Sequence, residues 1–97
     1  MTPTNERTEI ARGQDAEALR DNPLLAEALD AWEMEITEAW KTSPLRDAEG
    51  RERLRLMLEA SRMFRRFVAT TVDTGRLAEI QTQQQRTMMD RVRGLLR

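Results

Sequence analysis

The stretch Leu54-Arg55-Leu56-Met57-Leu58-Glu59-Ala60-Ser61-Arg62-Met63-Phe64-Arg65-Arg66-Phe67-Val68-Ala69-Thr70-Thr71 decides the fold. Within it Leu54, Met57, Ser61, Phe64, Val68 and Thr71 recur at intervals of 3, 4, 3, 4 and 3, the heptad seam of a helix packed along another helix. A second row, Leu56, Ala60, Met63 and Phe67, recurs at 4, 3 and 4, so the apolar surface is wider than one partner covers. Full burial of a side chain such as Phe67 is worth roughly 1.5 to 3 kcal/mol. The surplus row therefore predicts cover from elsewhere in the chain or self-association. Self-association is favoured, because neither flanking segment is long or apolar enough to supply the cover.

Upstream, Thr42-Ser43-Pro44 ends one helix, and Asp47 is placed to cap the next, with Glu49 and Glu52 in its first turn, where negative charge suits the helix dipole. Asn22-Pro23 is a start signal, since Asn caps free N–H groups and Pro at the first helical position forfeits no hydrogen bond. The pattern predicts an antiparallel helical hairpin, about 23–41 and 48–74, joined by a short loop. In the first arm Leu25, Leu29, Trp32, Ile36 and Ala39 form a stripe, with Glu27, Asp30, Glu33 and Glu38 outside it. Gly75 is read as the left-handed residue that closes the second arm.

Outside the hairpin the reading is sparser. Residues 1–12 are expected to be a flexible arm, and Gln14 to Arg20 a short helix stopped by Asp21-Asn22-Pro23. Residues 13–75 then make the core domain. Residues 76–97 make a C-terminal helix, polar nearly all round from Gln81 to Thr87 and amphipathic at its end. There Met88, Met89, Val92, Leu95 and Leu96 stand against Arg86, Asp90, Arg91, Arg93 and Arg97, which reads as a docking tail.

Composition narrows the chemistry. The 97 residues suit one small all-α domain with a thin core, and 34% charged residues require most helical surface to face water. There is no cysteine and no histidine, which removes disulfides, thiolate nucleophiles, the commonest metal ligands and the usual general base. An enzyme, a cofactor, a metal site and a small-molecule substrate are not expected. The carboxylates Asp30, Glu33, Glu35 and Glu38 read as a solvated acidic face, and the four isolated glycines make no phosphate-cradling loop. A polar N-terminus and the lack of a long apolar run predict an intracellular protein with no membrane role, cytoplasmic or virion-associated.

Charge is uneven. Residues 1–42 hold four basic and ten acidic groups, residues 43–75 seven and five, and residues 76–97 five and two. Pairing of the acidic arm with its basic neighbour explains this first, although exposed pairs add only about 0 to 1 kcal/mol each. Arg51, Arg55, Arg62, Arg65 and Arg66, extended by Arg91 and Arg93, are the candidate phosphate contacts for non-specific DNA, a role that a ring of subunits would strengthen. Leu56, Ala60, Met63, Phe67, Met88, Val92 and Leu95 are the candidate residues for homo-oligomer or protein contacts.

The run Trp40-Lys41-Thr42-Ser43-Pro44-Leu45-Arg46-Asp47-Ala48-Glu49-Gly50-Arg51-Glu52, preceded by Asn22-Pro23-Leu24 and followed by Thr74-Gly75-Arg76-Leu77-Ala78, resembles short helical proteins of tailed phages and prophages. Such proteins occur among virion-assembly and DNA-packaging genes. The resemblance rests on helix caps and loop residues between roughly residues 12 and 80, so it implies a phage setting and transfers no functional residue. Together with the surplus row it suggests an oligomeric factor in DNA packaging or head assembly, similar in role to a small terminase subunit. The alternatives are a virion or scaffold component, or a small helical regulator that blocks a host protein.

Overall fold

The computed structural model describes residues 3–96. Met1 and Thr2 of the expected arm, and Arg97 of the expected tail, lie outside the described residues. The described residues form three helices, α1 (Pro3–Arg20), α2 (Pro23–Thr42) and α3 (Ala48–Leu95), and no strand occurs among them. The all-α class and the α2/α3 hairpin agree with the sequence pattern. The boundaries differ in two places. The segment expected to be an arm is helical from Pro3 onward, and the second arm of the hairpin does not stop at Gly75.

The starts of α2 and α3 follow from their caps. Asn22 has extended backbone, and its Oδ1 accepts from the amides of Leu24 at 2.9 Å and Leu25 at 3.1 Å, while Pro23 takes the first helical position. Asp47 Oδ1 accepts from the amide of Gly50 at 3.0 Å. The C-terminus of α2 is closed by Ser43, whose amide and hydroxyl both donate to the Trp40 carbonyl. Arg51 reaches back from α3, stacks its guanidinium 3.8 Å from the centroid of the Trp40 ring and donates to Ser43 Oγ at 2.9 Å, placing a cation at the negative end of α2.

The chain divides into two compact units, one made of Ala18–Val68 and the other of the segments up to Glu17 and from Ala69 onward. In the first, α2 lies antiparallel to the N-terminal half of α3: Trp40 meets Arg51, Glu33 meets Ser61, and Asp30 meets Arg65. In the second, α1 lies antiparallel to the later part of α3: Glu17 pairs with Arg76, Gln14 with Glu79, and Glu6 with Thr82.

The α1 packing explains why α3 passes through Gly75. Gly13 and Gly75 are both buried, and a Cβ added to either would sit 2.7 Å from the Cα of the other. Ala16 and Ala78 follow one turn on, and both are buried. Small residues let the two backbones come close enough for ridges of one helix to sit in the grooves of the other. No glycine has positive φ, so Gly75 is a helical residue at a close crossing instead of a left-handed terminator. A helical glycine costs about 1 kcal/mol against alanine, and the close packing it permits offsets that cost.

Candidate functional site

The buried seam of α3 keeps Leu54, Ser61 and Val68 of the expected one and replaces the alternate positions Met57, Phe64 and Thr71 by Leu58, Arg65 and Val72, each one residue further on. It passes through Leu54, Leu58, Ser61, Arg65 and Val68, then Val72, Gly75 and Ala78, with Ser61, Val68, Val72, Gly75 and Ala78 buried. Met57 and Phe64, expected in the seam, are 42% exposed on its shoulder. On α2 the stripe shifts likewise: Ile36 is buried and Leu25 and Leu29 are half-buried as expected, whereas Trp32 and Ala39 are exposed. Glu33, expected outside the stripe, is half-buried inside it.

A polar cluster joins Glu33 and Arg65, one shifted position on each helix. Ser61, fully buried, donates from Oγ to Glu33 Oε1 at 2.7 Å. Arg65 clamps the same carboxylate with two bonds, Nε to Oε1 and Nη2 to Oε2, each 2.9 Å, and Nη2 also donates to Asp30 Oδ1 at 2.9 Å. The Arg65 bonds, the Ser61 hydroxyl and the nearby positive charge of Arg65 and Arg62 hold the Glu33 carboxyl below the usual carboxylate range. A bidentate Arg–carboxylate pair has a fixed geometry, so the cluster sets which residues of α2 and α3 lie opposite one another. The heptad pattern places Ser61 in the seam but not its partners, because Glu33 and Arg65 are charged and carry no weight in an apolar periodicity. The available signal was an acid at position 33, on the acidic arm, and an Arg at position 65, on the basic one.

With the seam displaced, the whole second row is left on the side of α3 away from α2. Leu56 is 52% exposed, Met63 58% and Phe67 63%, and Ala60 is exposed between them. Met57 and Phe64 widen the row into one apolar face over about three turns. Along one edge of that face lie Glu52, Glu59 and Arg66, seven residues apart. The remaining interface candidates, Met88, Val92 and Leu95, are exposed on α3 in the other unit, as is every described residue after Thr82.

The candidate phosphate contacts fall differently. Arg51, Arg55, Arg62 and Arg66 share one stripe of α3 at intervals of 4, 7 and 4. Arg51 is stacked on Trp40, Arg55 is paired with Glu52 at 2.7 Å, and Arg66 is paired with Glu59 at 3.0 Å. Arg65 faces away from that stripe, into the Glu33 cluster. Arg91 and Arg93 belong to the exposed end of α3. Much of the local positive charge is thus matched by carboxylates, though exposed pairs of this kind are cheap to break.

Open grooves mark the surface of each unit. One is lined by Ile36, Thr37, Trp40, Leu54, Arg55 and Leu58, a shallow opening beside the hairpin seam with one charged residue. Among the described residues no group of three or more acidic or other metal-ligating side chains is placed to hold a metal ion, and no helix is long and apolar enough to cross a membrane. No protein-family model matches the chain, and neither a curated protein nor a solved structure was found to match it.

Proposed function

We propose that this chain is a non-enzymatic helical interaction protein that assembles with itself and with other proteins through the outer face of α3, serving a phage or prophage in DNA packaging or head assembly. The observation that carries the reading is the exposed row Leu56, Ala60, Met63 and Phe67, flanked by Met57 and Phe64. Single exposed apolar residues are ordinary, but a contiguous apolar patch of several hundred Å² on one helix is characteristic of a contact surface. The phage setting and the small-terminase-like role rest on the resemblance of the cap and loop residues. Contact with DNA in that role is non-specific and electrostatic, carried by Arg62 and by the arginines that break their surface pairs to meet phosphate.

Light scattering combined with a salt titration of duplex DNA binding tests this. A species larger than the monomer, with DNA affinity falling steeply as salt rises, supports the packaging role. An assembly indifferent to DNA removes that role and favours the virion or scaffold alternative. A monomer indifferent to DNA overturns the proposal.

A further inference from the structure

We infer that the outer face of α3 pairs with the same face of a second copy in antiparallel orientation, about a two-fold axis close to residues 61–63. The inference rests on the proposed self-assembly and adds its partner and geometry. The row occupies alternating core positions of a heptad, and antiparallel pairing sets Leu56 against Phe67 of the second copy and Ala60 against Met63. Each layer then joins a small or medium side chain to a large one, the arrangement that fills space without voids. Parallel pairing would set Ala60 against Ala60 and Phe67 against Phe67, leaving a hole at one layer and crowding at another.

The edges of the face discriminate more sharply. In antiparallel helices each edge meets its own counterpart running the other way. On one edge Met57 then meets Phe64 of the second copy, apolar against apolar. On the other, Glu59 meets Arg66 of the second copy, and the reverse pair forms on the far side of the axis. These two residues already bond each other within one chain at 3.0 Å, so the charges stand at matched depth on that edge. Parallel pairing would place the Glu59 carboxylate against the Phe64 ring, with no compensating cation.

Area agrees with a two-fold pair. The six side chains expose roughly 500 to 600 Å² in one copy, so covering them in two copies would bury about 1,000 to 1,200 Å², at the small end for a specific interface. A two-fold axis also closes the contact, since the same patch serves both copies and nothing is left to propagate a fibre.

Cysteine cross-linking tests the geometry cleanly, because the chain has no cysteine of its own. Leu56→Cys mixed with Phe67→Cys under mild oxidation is expected to give mixed disulfide dimers at least tenfold faster than either variant alone. Self-linking of each variant at the mixed rate overturns the antiparallel assignment. Sedimentation equilibrium on the unaltered chain and on charge variants gives a second reading that leaves the apolar row intact. Glu59→Arg alone or Arg66→Glu alone should weaken the dimer about tenfold, and the two together should restore it. A monomeric unaltered chain overturns both this inference and the self-assembly it rests on. An assembly that ignores the charge variants and gives no mixed disulfide overturns this inference alone.

Discussion

At the scale of single residues, glycine and charge show how one position changes meaning with its neighbour. Gly75 and Gly94 are both helical, and alanine is intrinsically better in a helix by about 1 kcal/mol. At Gly94 an added Cβ meets nothing within 4 Å, so Gly94→Ala should be neutral or stabilising by a few tenths of a kcal/mol up to about 1. At Gly75 the same methyl meets the Gly13 backbone, which cannot swing aside as a side chain would. Gly75→Ala and Gly13→Ala should each cost roughly 1 to 3 kcal/mol in a denaturant titration, the usual range for overpacking. Glu33 makes a prediction about pH. Its carboxyl titrates lower in the folded chain than when unfolded, because Arg65 and Ser61 bond the charged form. The pair's contribution is therefore fully present above the unfolded value of about 4.3, and is lost as pH falls from there through the folded value. Thermal melts of Glu33→Gln should show lower stability at pH 7 and a shallower decline between pH 5 and pH 3 than the unaltered chain.

At the scale of elements, caps were legible and continuity was not. Asn22 and Asp47 act as the sequence pattern indicates because capping is local: the donors and the acceptor lie within three residues of one another. Asn22→Ala should cost about 1 kcal/mol and raise amide exchange in the first turn of α2, with little change around Val72 and Ala78. The continuity of α3 through Gly75, where α1 packs on it, was not legible for a different reason. That packing uses Gly13, Ala16, Gly75 and Ala78, residues with no weight in a count of large apolar side chains. Glycine in a helix ordinarily marks an end, and only a second glycine on the facing helix reveals a crossing. The spacing Gly13-x-x-Ala16 and Gly75-x-x-Ala78 was the signal available in the sequence.

At the scale of the whole molecule, the outward face of α3 governs how copies meet. Phe67 is mostly exposed, so Phe67→Glu should leave the helicity of the single chain nearly intact, any loss of melting temperature being that of the assembly itself. The same change should abolish self-association in light scattering, and complete unfolding would instead make Phe67 part of the monomer's own core. The helical class, the two caps and the surplus apolar row were determined by the sequence alone, because periodicity and capping are short-range and each residue's part depends on neighbours within a turn or two. Which row became the seam was decided only in the tertiary structure. The choice of Leu58, Arg65 and Val72 over Met57, Phe64 and Thr71 as partners of Leu54, Ser61 and Val68 goes with the Glu33–Arg65–Ser61 cluster and the Gly13–Gly75 approach, and both join residues tens of positions apart, whose energies exist only once the backbones have met.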